Sequence, residues 1–230
     1  MKKVVIGLKV LLAVCLMGVI SAALSGCGSS GTTNSNVTNS GASTTTNGAA
    51  QTTTTSSANI GNSSVSAVPT VSSVQAGGTF DVNIVVNTSS PTRGLQFVLN
   101  WDPTKVQCVS TEPGNYLSDF GAANNGDVFY LPSSPSPDNS AGRFPKDTNT
   151  NPSASPTYQN AILTGAQGAN GTYLGVTGSG NVYVLHMSAL AGASGTVNFT
   201  LSEVILGDIS SPKTLDMHAI VNNGTITINP

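Results

Sequence analysis

The side chains best suited to acid–base chemistry or metal ligation are few and scattered in this chain: His186 and His218, Cys15, Cys27 and Cys108, and ten acidic residues. A zinc site or a nucleophilic triad needs partners at recognisable spacing, and neither histidine has them. There is no G-x-S-x-G turn, no H-E-x-x-H helix and no phosphate-binding glycine loop. Glycoside hydrolysis needs two carboxylates facing each other across a cleft. Glu203 and Asp208 are close in sequence, but so are any two acids in a strand and its following turn. Asn124-Asn125-Gly126-Asp127 lacks the ligand order of a calcium loop and reads as a turn. These residues point to no enzyme, no metal and no cofactor.

The N-terminus carries chemistry of another kind. Lys2, Lys3 and Lys9 form a basic start, and Val10 to Ala23 is an uncharged, mostly apolar run. It is shorter than the roughly 20 residues that span a bilayer and fits the core of a secretory signal. Leu24-Ser25-Gly26-Cys27 resembles a bacterial lipobox. That resemblance implies a signal peptide over 1–26, cleavage before Cys27 and lipid on its thiol, which would anchor the protein to a membrane facing outside the cytoplasm. Gly28 rather than an aspartate follows, so in a cell with two membranes the outer one is the expected destination. The alternative is an ordinary signal peptide in which Cys27 falls by chance.

Residues 27–64 are Ser, Thr, Asn, Gly and Ala with a few aliphatics and no charge. Such a segment cannot bury enough apolar surface to offset the entropy of ordering it, so it reads as a disordered tether. Its hydroxyls either carry sugar or stay bare. With the three leader lysines removed, 5 basic residues face 10 acidic ones. A net charge near −5 excludes a basic nucleic-acid surface.

Residues 65–230 are expected to form one all-β domain. Phe80, Val82, Ile84 and Val86 alternate with Thr79, Asp81, Asn83 and Val85. Leu95, Phe97, Leu99 and Trp101 form a second apolar row, leaving Gly94, Gln96, Val98 and Asn100 on the opposite side. Asp102-Pro103 opens a turn, and a strand over Val106 to Ser110 follows and holds Cys108, the one cysteine left for the core. Further strands are expected at Val65–Val71, at an edge because of Pro69, and at Asp127–Leu131 and Ala161–Gln167. Others follow at Asn181–Ser188, Val197–Leu201, Glu203–Leu206 and Ile220–Ile228. Asn223-Gly224 inside the last of these is either a hairpin or a bulge. No stretch of useful length has helical period. Short strands split by Gly, Pro and Asn predict a two-sheet antiparallel β-sandwich with jelly-roll topology. The proline-rich stretch 132–159 is either a disordered insertion or a loop that folds over one face.

The order of parts resembles cohesin domains. The blocks are Gln75 to Val86, Gly94 to Gly114 with its aromatic-Asp-Pro turn, Gly175 to Met187, Gly195 to Val204, and Asn223 to Ile228. The resemblance implies a jelly-roll sandwich and non-catalytic binding of a dockerin module on another secreted protein, often a polysaccharide-degrading enzyme. It places partner contacts on Gly94, Gln96, Val98, Asn100 and Glu203, joined by outward residues of Asn181–Ser188. Gly94 and Gln96 stand where cohesins that bind dockerin tightly tend to have Asn and Asp. A second reading keeps the fold but makes the module bind polysaccharide or brace the envelope. Its stacking candidates are Tyr116, Phe129, Tyr130, Tyr158 and Tyr173.

Overall fold

The two alternating runs around Phe80 and Leu95 prove to be one strand. The computed structural model describes residues 63–151, 153–210 and 216–230, so the signal segment, Cys27 and the tether lie outside the described residues. In chain order the elements are β1 (Ser64–Pro69), β2 (Ser73–Gln75), β3 (Thr79–Asn100), β4 (Val106–Pro113), α1 (Tyr116–Ala123) and β5 (Asp127–Leu131). There follow β6 (Arg143–Phe144), β7 (Gln159–Thr164), β8 (Val176–Ala189), β9 (Gly195–Asp208), β10 (Ile220–Asn222) and β11 (Gly224–Asn229).

β3 organises the whole. Its first half pairs with β1 over Val82–Asn87 on one side and with β8 as far as Thr92 on the other. From Thr92 onward it pairs with β9 on one side and with β7, then β6, on the other. β4 extends the first group beyond β8, and β5 extends the second beyond β7. One layer is therefore β10–β1–β3–β8–β4. The other is β5–β7–β3–β9, continued by β11 and β2. Pairing is antiparallel except for two short parallel pairs, β1 with β10 and β11 with β2. Where β3 passes between layers its register shifts, and buried hydroxyls hold the backbone. Thr88 Oγ1 donates to the Ser90 carbonyl at 2.8 Å, and Thr92 Oγ1 to the Gly207 carbonyl at 2.6 Å.

Apolar side chains of both layers meet between them. Phe80 lies edge-on to Phe199 with centroids 5.9 Å apart, and Phe97 edge-on to Tyr183 at 6.0 Å. Such pairs contribute about 0.5–1.5 kcal/mol beyond the area they bury. Trp101 and Cys108 belong to this core. At the turn after β3, the Asp102 carboxylate accepts the Thr104 hydroxyl at 2.6 Å and its N–H at 2.9 Å, which holds the carboxyl below the usual range.

Two expectations change, and two alternatives left open resolve. β1 is not an edge strand, because β10 pairs along Ser64–Ser66, but Pro69 lies past the reach of β10 and its missing N–H is tolerated there. The last strand does not turn back at Asn223-Gly224. It leaves β1 and continues beside β9, and a side chain on Gly224 would meet the Ala67 carbonyl at 2.5 Å and the Pro69 ring at 2.7 Å. α1 is a helix of eight residues that the sequence did not announce. It buries Tyr116 and Leu117, and Gly121 lets the Leu163 side chain approach closely.

The stretch 132–159 is not a disordered insertion where it is described. Phe144 is fully buried, its ring centroid 6.1 Å from that of Phe97 and 5.2 Å from that of Tyr183. β6 pairs with Leu99 and Asn100, and the Gly142 carbonyl accepts the Trp101 N–H at 2.8 Å. The Asn139 amide accepts the Cys108 N–H at 2.7 Å and donates to the Cys108 carbonyl at 2.9 Å. It thus imitates a neighbouring strand on the open side of β4, one of the ways edges are kept from pairing with other chains.

Candidate functional site

Alternation and register build one flat surface, the outer side of β5–β7–β3–β9. Gly94 stands opposite Gly207 on β9 and Ile162 on β7, and Ile162 stands opposite Phe129 on β5. One step along, Gln96 is opposite Ile205 and Asn160, and Asn160 is opposite Leu131. Because directly paired residues share a face, two rows run across four strands: Gly207, Gly94, Ile162, Phe129 and Ile205, Gln96, Asn160, Leu131. Their apolar members face outward, with Phe129 and Leu131 53% exposed, Ile205 42% and Ile162 39%. Large apolar side chains gathered on one face are the usual mark of an interaction site.

The polar groups on this face are bound to the protein itself. Gln96 Nε2 donates to the Glu203 carbonyl at 3.3 Å, and Asn160 Nδ2 to the Leu131 carbonyl at 3.3 Å. Asn100 Nδ2 donates to Ser202 Oγ at 3.1 Å. Arg93, at one end, stacks on Tyr173 with its guanidinium carbon 3.9 Å from the ring centre and donates to the Leu163 carbonyl at 3.3 Å. Glu203, at the other end, sits in a β-bulge where β9 carries an extra residue against β3, with φ of 52° and an exposed side chain.

Of the residues singled out from sequence, Gly94, Gln96, Asn100 and Glu203 come together around this face. Val98 does not join them. It is only 2% exposed and stands outside the main core cluster. Arg143, the partner of Asn100, points to the same side and is tied to Asp147 at 3.3 Å and to the Thr157 carbonyl at 2.7 Å. The 132–159 segment thus borders that end of the face. The Asn181–Ser188 part of β8 is also excluded, because β8 flanks the first half of β3 in the other layer. Sequence reading missed Ile162, Ile205 and Leu131, although strict alternation within β5 and β7 marks which of their residues share a side.

Among the described residues the remaining chemistry-bearing groups form no centre. His186 Nδ1 lies 2.7 Å from Asp81 and its Nε2 3.6 Å from Glu112, so the two carboxylates engage opposite ring nitrogens rather than converge. His218 is exposed beside Asp216. Among the described residues no group of three or more His, Cys, Asp or Glu side chains could hold a metal ion. Of the aromatic candidates for sugar stacking, Tyr116 is buried, Tyr130, Tyr158 and Tyr173 are half-buried, and only Phe129 is exposed.

Comparison with known proteins bears on what this face belongs to. No curated protein sequence matches the chain. Among solved structures, it is similar to the third cohesin of ScaC from Acetivibrio cellulolyticus, solved with the ScaB dockerin, at 16% identity and a TM-score of 0.48, covering 74% of this chain and 100% of that one. It is similar to the seventh ScaB type I cohesin of Pseudobacteroides cellulosolvens at 16% identity and 0.49, covering 72% and 92%. A non-cellulosomal cohesin of the archaeon Archaeoglobus fulgidus matches at 11% and 0.44, covering 74% and 93%. The cohesin domain family model matches residues 64–228. That match runs from the first residue of β1 to all but the last residue of β11, and the chain belongs to the cohesin domain family.

Proposed function

We propose that this protein is a non-catalytic docking module, held to the outside of the cell by lipid on Cys27, which binds a dockerin-type module of another secreted protein through the outer face of β5–β7–β3–β9. Family membership supports the binding role. The observation that carries the choice of face is the pair of rows that places Phe129, Leu131, Ile162 and Ile205 together in solvent. A standard interface buries about 800 Å² per partner, and a surface four strands wide supplies an area of that order. The face has no cleft with opposed carboxylates and no nucleophile beside a base, which suits binding rather than reaction. A single exposed aromatic ring is a poor platform for sugar stacking, so polysaccharide contact is assigned to the proteins the module would recruit.

Titration calorimetry with a panel of dockerins from the source organism tests this reading, using wild type, Gln96→Arg, Glu203→Arg and Leu131→Asp. Binding by wild type, lost in Gln96→Arg and Leu131→Asp and weakened in Glu203→Arg at unchanged thermal stability, is the expected result. Binding that survives all three substitutions moves the site to another surface, and no binding by any dockerin removes the proposed partner.

A further inference from the structure

We propose that the depression over Gly94 seats one aliphatic side chain of the docked partner, and that apolar burial rather than charge drives the contact; this rests on the docking role of the same face. The depression has a volume of about 150 Å³; Ile162 and Ile205 wall it, Gly94 and Gly207 form its floor, and Arg93, Gln96 and Asn160 also line it. Its depth comes from two glycines standing opposite each other on adjacent strands while the isoleucines beside them rise. A side chain on Gly94 would fill it and press on the Ala161 carbonyl at 3.0 Å. A closed apolar cavity of about this size accepts a benzene ring; in this open depression one Leu, Ile or Met side chain matches the space between the two isoleucines.

Arg93 is the one charged residue that lines the depression. The domain carries 10 acids against 5 bases, yet neither row contains a charged residue. Gln96 and Asn160, the amides in the rows, donate to the protein's own carbonyls, and Arg93 lies flat on Tyr173. A cationic side chain entering the depression would lose its water and face Arg93, and an acidic one would find only that guanidinium, already stacked on Tyr173 and bonded to the Leu163 carbonyl. An aliphatic one loses nothing and removes its own surface, and that of both isoleucines, from water. Glu203 remains at the rim, where a charge tunes encounter rate and specificity more than affinity.

The test separates this inference from the docking role. ¹⁵N-labelled protein is titrated with N-acetyl-leucine amide, and in parallel with the aspartate and lysine analogues. Saturable millimolar shifts at Gly94, Ile162, Ile205 and Gly207 are expected with the leucine compound alone. They should vanish in Ile162→Asp and in Ile205→Asp, two half-exposed positions whose variants keep the remaining spectrum. Shifts that are absent, or equal for the charged analogues, overturn the proposal even if dockerins bind this face. Leucine-specific shifts in a protein that binds no dockerin leave the seat standing and remove the partner. For any dockerin that binds, raising salt from about 0.05 to about 0.5 M should change Kd less than about threefold, since exposed charge pairs are screened over that range. A tenfold or greater loss also overturns the proposal.

Discussion

Gln96 on β3 and Trp101, just past its end, test opposite sides of the same run. Trp101 is 6% exposed and packs within the core, so Trp101→Ala should cost about 3–5 kcal/mol through the cavity it leaves. Gln96→Ala removes one hydrogen bond at the surface and should stay within about 0.5 kcal/mol. Urea denaturation of the two variants checks this, and equal losses would contradict the register of β3. Cys108 offers a second residue-level test. Burial pushes its thiol up from 9.0 to about 12. Between those values the unfolded chain releases a proton that the folded chain keeps, so stability present below about pH 9 is lost as pH rises, by at most about 1.4 kcal/mol per pH unit. Tyr116 and Tyr183, also raised to about 12 by burial, add to the alkaline loss at higher pH. Cys108→Ala should flatten the slope of stability above pH 9, and an unchanged slope would place the thiol in water. Period-2 alternation was enough to put Trp101 and Cys108 in the core and Gln96 outside. It failed at Val98, which alternation sends outward but which is only 2% exposed.

At the scale of elements, the 132–159 segment shows what pattern reading cannot reach. Its link to the core is one aromatic residue, Phe144, in a two-residue strand, and two residues have no periodicity to detect. The prolines and small polar residues around it are the ordinary signs of loop. Asn139 acts through hydrogen bonds to the backbone of a strand 31 positions away, which no local signal announces. Phe144→Ala should cost about 3–5 kcal/mol. Asn139→Ala leaves a partly buried N–H and carbonyl without partners and should cost about 1–3 kcal/mol. Denaturant midpoints check both, and variants as stable as wild type would mean that the segment does not brace the sandwich. α1 escaped notice for a related reason. Eight residues give barely two turns, and its stability comes from packing Tyr116 and Leu117 against the sheet rather than from propensity.

For the whole molecule, the sandwich was legible because nearly every strand alternates and Gly, Pro or Asn marks most of the ends. The division of strands between layers was not, because it depends on how β3 and the last strand pass from one layer to the other. That is why alternation alone groups β8 with the proposed docking face and leaves β7 out. The proposed anchor belongs to this scale too. Cys27→Ala should release the protein from the membrane fraction, and mass spectrometry of the mature N-terminus should find lipid on Cys27. A free thiol there, or cleavage at another residue, would contradict the anchor. The central claim, docking through β5–β7–β3–β9, is met most directly by amide hydrogen exchange with and without a dockerin that binds in calorimetry. The account expects added protection in β5, β7, the Gly94–Asn100 part of β3 and the Ile205–Gly207 part of β9, with β4 and β8 unchanged. Protection confined to β4 and β8, or to the 132–159 segment alone, would contradict it.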